Sequence, residues 1–337
     1  MHRTGLTALV LLALTLLSLG LAVLPGAYPI PASGVFQVLL GAQGNDPAWQ
    51  TVVLDIRLSR ICLSWLVGAG LASAGVVFQG LLRNPLADPF TLGVSSGGAF
   101  GASLAITLGL AGSAGLFGLG ALPFAALLGA LGALAAVIAL GRIGGRLRRE
   151  TLVLAGIVVS TFLSACISLF KALNEESVSA IVFWIMGSLQ GRGWEHVFLM
   201  LPYFLAGIAL MLLYSRELDL LSLGETQARQ LGVRTTRTRL ALLAGAGLVT
   251  AAGVAVAGVI GFVGLVVPHM VRLVLGAEHR PLLLNSALLG GLLLVWSDVA
   301  ARSMLPGGAE LPVGVITALL GGPFFCFLLR RRQGGAT

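Results

Sequence analysis

The residue most suited to chemistry on a nucleotide is Lys171, the only lysine in the chain. A P-loop needs its lysine directly after a glycine-rich turn, so that backbone N–H groups and the ammonium share the terminal phosphates. Lys171 instead ends the run Ser168-Leu169-Phe170-Lys171, with no such turn before it. The chain has no P-loop route to ATP hydrolysis, and ATP-driven work would need a separate subunit. Metal ligation is equally unsupported. Cys62, Cys166 and Cys326 lie far apart inside apolar runs, and His2, His196, His269 and His279 are scattered. None of them has metal-ligand spacing. Carboxylates fall at or near the ends of apolar segments. That counts against an ion-coupled secondary transporter, which uses ionisable groups inside the membrane. No His, Glu or Asp cluster of the kind an intramembrane enzyme needs is evident.

The elements that position these residues are membrane spans. Hydrophobic residues make up 57% of the 337, and charged residues only 10%, against roughly 25% in a soluble domain. Apolar runs of about 20 residues, enough to cross a bilayer core, recur along the chain. They predict an all-α polytopic membrane protein with a single transmembrane domain covering 1–337. About ten spans are expected, near 5–24, 58–81, 90–109, 114–141, 151–172, 195–215, 237–257, 259–276, 281–301 and 311–330. The first exceeds a signal peptide's usual apolar core of about 7–15 residues and lacks a clear cleavage site, so it reads as a retained span. Gly and Pro interrupt the third and eighth. Ser179–Ser188 is apolar but too short to cross, and fits a helix at the mouth of the protein.

The net charge of +8 could indicate nucleic acid, but its distribution gives another origin. With the N-terminus inside, sixteen of the 21 Lys and Arg fall on cytoplasmic ends, and five (Arg57, Arg60, Lys171, Arg192, Arg302) fall outside. That positive-inside bias places both termini in the cytoplasm. It accounts for the charge with lipid as the surroundings and no nucleic-acid partner.

Two segments stand out on physical grounds. In Arg83-Asn84-Pro85-Leu86-Ala87-Asp88-Pro89-Phe90-Thr91-Leu92-Gly93 the two prolines forbid a continuous helix. Gly93, Gly97 and Gly101 then repeat at spacing four, a smooth stripe for close helix packing. The cytoplasmic stretch at about 216–236 is the longest polar one, and Ser222–Val233 within it fits a pair of short amphipathic helices able to dock in a partner's groove.

These segments resemble those of the FecCD-type permeases, membrane subunits of type II ABC importers for ferric siderophores, haem and cobalamin. The resemblance also rests on Asp55-Ile56-Arg57-Leu58-Ser59-Arg60, on Leu223 to Gly232, on Gly261 to Arg272, on Asp298-Val299-Ala300-Ala301-Arg302 and on Glu310-Leu311-Pro312-Val313-Gly314. It implies two copies of the chain enclosing a pathway in a bacterial inner membrane, two cytoplasmic ATPase subunits holding ATP and Mg, and a periplasmic or lipid-anchored substrate-binding protein. It implies no cofactor on this chain. The expected cargo is a ferric siderophore, ahead of haem and cobalamin.

The resemblance also assigns roles. ATPase coupling falls to Leu223, Gly224, Glu225, Gln227, Ala228, Arg229, Leu231 and Gly232. The gate falls to Asn84, Leu86, Arg149, Glu150 and Thr151, although cobalamin-transporting members carry small hydroxyl residues where this chain has Arg148 to Thr151. Docking of the binding protein falls to Arg57, Arg60 and Arg302. Arginine suits bidentate pairing with carboxylates. Those carboxylates belong either to a partner or to Asp55, Asp298 and Glu310 of the same chain. Lys171, at the outer end of the fifth span, either meets anionic cargo or snorkels to water.

Overall fold

The computed structural model describes residues 2–26, 28–42, 46–113 and 120–333. In hydrocarbon each backbone N–H and C=O must be satisfied within its own segment, so the apolar runs become helices. In order they are α1 (His2–Ala22), the short α2 (Ala32–Leu39) and α3 (Pro47–Gln50), then α4 (Ser59–Leu82), reached through a π-helical stretch, Thr51–Leu58. Next come α5 (Val94–Thr107), α6 (Ala121–Leu140), a minimal hairpin of β1 (Arg142–Ile143) and β2 (Arg146–Leu147), α7 (Arg149–Leu173) and α8 (Val178–Ile185). The rest are α9 (Trp194–Leu213), α10 (Ser215–Leu223), α11 (Glu225–Gln230), α12 (Thr235–Ala257), α13 (Val263–Leu275), α14 (His279–Ser303) and α15 (Val313–Gln333). The fold is all-α and polytopic. Among the described residues seven helices are long and apolar enough to span a bilayer, and α5, α13 and α15 occupy the other three expected segments. The start of the fourth expected span, 114–119, lies outside the described residues.

Two expected spans change shape. The third begins at Val94, not near 90. α4 ends on Arg83 in the left-handed region (φ 47°), and Pro85 bars helix at Asn84. The Asp88 carboxylate then accepts the N–H groups of Phe90 (3.0 Å) and Thr91 (3.1 Å), which holds a turn in place of a helix. The eighth is helical only over Val263–Leu275, about 20 Å at 1.5 Å per residue, short of a bilayer core of about 30 Å. Gly258 (φ 73°) and Phe262 (φ 66°) break the chain ahead of it. Left-handed backbone at a bulky residue costs on the order of 1–3 kcal/mol and persists only where the surroundings impose it. Here α15 abuts the Phe262 ring so closely that a Cβ on Gly321 would collide with it.

α4 and α12 form the enclosed centre. A Cβ on Gly97 would collide with the Gly129 carbonyl, and one on Gly101 with the Ala125 carbonyl, so α5 and α6 meet backbone to backbone. Gly93 does not belong to that stripe. It precedes the helix at φ 75°, a conformation that favours glycine, and its carbonyl accepts the Gly97 N–H at 2.8 Å.

Candidate functional site

Three polar constellations are built on this frame, at the two ends of α4 and between them. At the Arg60 end the three arginines expected to face a partner are turned inward. Arg57, Arg60 and Arg302 are 3%, 7% and 7% exposed. Arg57 donates to the carbonyls of Val23 (2.8 Å), Leu24 (2.8 Å) and Tyr28 (2.5 Å). Arg60 grips Asp298 through Nε (2.9 Å) and Nη2 (2.8 Å) and pairs with Glu310 at 2.8 Å. Arg302 donates to the carbonyls of Ala22 (2.7 Å) and Pro25 (2.9 Å) and lies 3.7 Å from Asp298. Of the two partners the sequence left open for these arginines, those of the same chain are engaged: the guanidiniums tie the ends of α1, α4 and α14 and the segment before α15 into one cluster. The reason is local. A buried arginine must be paired or hydrogen-bonded, and Asp298, Glu310 and the frayed C-terminus of α1 supply acceptors inside the chain.

At the Arg83 end a cavity of about 530 Å³ is lined by Arg83, Arg148, Arg149, Glu150, Thr151, Leu221, Glu225 and Arg239. The expected gate residues 149–151 and the expected coupling residue Glu225 thus share one pocket, which their sequence separation does not reveal. Arg149 pairs with Glu150 at 2.5 Å. Thr151 donates to the carbonyls of Gly141 (3.0 Å) and Arg148 (2.9 Å), which fastens α7 to the β1–β2 hairpin. Desolvation, then the like charges of Arg149 and Arg239, push the Arg83 guanidinium below its ordinary value, with Glu225 opposing. Asn84 and Leu86 stand outside this lining, in the exposed turn where Asn84 accepts the Leu86 N–H at 3.0 Å.

The polar stretch folds into α10 and α11, with Gly224 between them. Gly224 and Ala228 are buried, while Gln227, Arg229 and Gly232 face out. Leu223 (63% exposed) and Leu231 (60%) form an apolar pair on an otherwise charged surface. Glu225 is not a free surface charge, because it pairs with Arg229 and with Arg239 (3.0 Å). Asp219 on α10 receives both the backbone N–H (2.9 Å) and the Nδ1 (2.5 Å) of His279, which fixes α10 to the start of α14. The sequence carries no signal for this pairing across sixty residues.

Between the ends, irregular backbone converges. Ser188 donates to the Ala257 carbonyl (2.8 Å) and Gly314 to the Gly187 carbonyl (3.3 Å), so the breaks at 186–188, 258–262 and 312–314 meet. Unwound backbone at membrane depth is tolerated where protein buries it or where it borders an aqueous cavity. Beside it lies a cavity of about 290 Å³ lined by Phe90, Ser95, Ser96, Ala99, Ser164, Ile167, Ser168, Lys171, Ile185 and Val259. The spacing of Ser160, Ser164, Ser168 and Lys171 along α7 puts them on one face. Among the described residues no His, Cys, Asp or Glu group could hold a metal ion.

This architecture has known counterparts. The FecCD transport family model matches residues 10–331. An uncharacterised ABC transporter permease of Bacillus subtilis, YvrB, is 42% identical over 317 residues, covering 92% of this chain and 89% of the relative. The cobalamin import system permease BtuC of Halobacterium salinarum is 44% identical over 311 residues, covering 92% and 82%. Further relatives are described as permeases for haemin, molybdate and ferric dicitrate. A solved metal-chelate type ABC transporter, inward-facing, superposes with a TM-score of 0.84 at 35% identity over 96% of this chain and 98% of that one. The chain belongs to the FecCD transport family, as the membrane permease of an ABC importer and not an enzyme in its own right.

Proposed function

We propose that this permease imports a metal chelate, an iron–siderophore complex ahead of haem or cobalamin, across a bacterial inner membrane, through a pathway formed between two copies of the chain. The observation that carries the reading is α7. It is 25 residues long and apolar enough to span, yet only 22% of its span is buried, against 89% for the helix ending at Leu82. One face carries Ser164, Ser168 and Lys171 around a cavity that the single chain leaves open. Hydroxyls and an ammonium gain little from lipid, and a second copy supplies the missing wall.

The excess of arginine at the Arg83 end supports a cytoplasmic placement of that end and of both termini. The exposed Leu223 and Leu231, flanked by charge, suit the groove of a soluble ATPase. Two such subunits hold ATP and Mg, the permease carries no cofactor of its own, and a binding protein delivers cargo at the Arg60 end. The test is uptake into proteoliposomes containing the permease with its cognate ATPase, supplied with loaded binding protein. Radiolabelled ferric siderophore, haemin and cobalamin serve as cargo. ATP-dependent accumulation of the iron chelate is expected, with no ATP hydrolysis by the permease alone. Uptake by the permease alone, driven by a proton or sodium gradient, would overturn the reading.

A further inference from the structure

The sole lysine and the serines around it form one constellation beside the unwound backbone. Ser160, Ser164, Ser168 and Lys171 follow at steps of four, four and three residues, so they rise along one face of α7. Ser164, Ser168 and Lys171 line the 290 Å³ cavity on one side, and Ser95 and Ser96 of α5 line it on the other. The remaining walls are Phe90, Ala99, Ile167, Ile185 and Val259, all apolar. One turn deeper, the Ser160 hydroxyl is buried without a hydrogen-bond partner, beside Gly93 at the proline-bounded turn.

The charge balance points one way. Neither carboxylates nor histidines line the cavity, and among the described residues none lies within ion-pair distance of the Lys171 ammonium. Glu175 and Glu176 are close in sequence but do not reach it. The result is a cleft with one apolar wall, four hydroxyls able to donate, and one uncompensated positive charge. Hydroxyl and ammonium donors suit carboxylate, phenolate or oxyanion oxygens. The apolar wall suits the body of a chelate.

We propose that this cavity is an anion-selecting subsite of the translocation pathway, and that the cargo is a metal complex carrying net negative charge, held by its anionic oxygens at Lys171, Ser164 and Ser168. The inference rests on the import reading above and narrows its cargo class. A neutral or cationic complex gains nothing from Lys171.

The test reads the cavity directly and needs no knowledge of the cargo. In the permease assembled with its ATPase, with Cys62, Cys166 and Cys326 replaced by alanine, a single cysteine is introduced as Ser168→Cys or Ser164→Cys. Each is reacted with a water-soluble anionic methanethiosulfonate and with its cationic counterpart. With Lys171 about one helical turn from Ser168 and two turns from Ser164, the anionic reagent should be favoured at low salt by about threefold or more at position 168 and by less at position 164, and Lys171→Glu should reverse the preference. Ferric dicitrate or molybdate at millimolar concentration should slow labelling in the Lys171 protein and not in the Lys171→Glu protein. Equal rates for the two reagents, a preference unmoved by Lys171→Glu, or reaction only with membrane-permeant maleimides would each overturn the proposal. ATP-driven uptake of an uncharged chelate alongside equal labelling rates would overturn it while leaving the import reading intact.

Discussion

Replacing Asp298 by asparagine tests whether the arginine cluster at the Arg60 end is internal scaffold or partner surface. Asp298 is 1% exposed, takes two short hydrogen bonds from Arg60 at 2.8 and 2.9 Å, and lies 3.7 Å from Arg302. Removing one partner of a buried pair costs about 3–5 kcal/mol, because the other charge is left uncompensated. Arg60 keeps Glu310 at 2.8 Å, and the asparagine oxygen still accepts, so the lower end, about 3 kcal/mol, is expected. Unfolding entropy of about 2.1 cal/mol/K per residue gives about 0.7 kcal/mol/K for 337 residues. The melting temperature in detergent should therefore fall by about 4 °C. Intrinsic fluorescence during a thermal ramp measures it, with exposed Glu176→Gln as control. The set replaced whole, Arg60→Met with Asp298→Leu and Glu310→Gln, should lose less than Asp298→Asn alone, since a buried ion-pair set exchanged for uncharged groups is often near neutral. A shift under about 1 °C, equal to the control and accompanied by weaker capture of the binding protein, would refute the scaffold reasoning and return these arginines to the docking surface.

Gly97→Leu should abolish folded expression, because the new side chain meets the Gly129 carbonyl, whereas Gly132→Leu on α6, where a Cβ meets no atom within 4 Å, should be tolerated. Size-exclusion profiles of the two variants decide it. Cysteine at Thr226, exposed on α11, should crosslink to the ATPase in the assembled complex and not to the binding protein, and the reverse result would invert the proposed orientation. Burial raises the Asp88 carboxyl from its ordinary 3.8 to about 6, against the N–H groups of Thr91 and Phe90 that favour the anion. A raised folded value means that its contribution to stability is full below about pH 4 and lost as pH rises through about 6. Asp88→Asn keeps the acceptor for the turn and removes the ionisation. It should therefore gain stability relative to the parent between pH 4.5 and pH 7.5 in thermal scans, and a constant difference across that range would contradict the assignment.

Composition and local pattern were enough to read the class of molecule and most of its helices. Apolar runs long enough to cross a bilayer can be little else, and an arginine count skewed to one set of loops offers an orientation to test. Pro85 and Pro89 marked the break before α5 because proline removes a donor and fixes φ wherever it stands. Of the two short helices expected within Ser222–Val233, only α11 lies there; its partner α10 runs back to Ser215, where packing of Leu218 and Leu221 and the Asp219–His279 contact hold it. Tertiary structure decided what side chains do with one another across the chain. Arg60 meets Asp298 and Glu310, 238 and 250 positions away, so nothing local distinguishes an outward arginine from a buried one. Gly93 looks like the first step of a packing stripe until Asp88 captures the Phe90 and Thr91 N–H groups and moves the helix start past it. Asp219 with His279, and residues 149–151 with Glu225, become neighbours only once α4, α7, α10 and α14 are assembled. The serines of α7 lay at helical spacing all along. What Ser164 and Ser168 face, a cavity and not a packed core, follows only from how α5 and the unwound segment before α13 sit against that face.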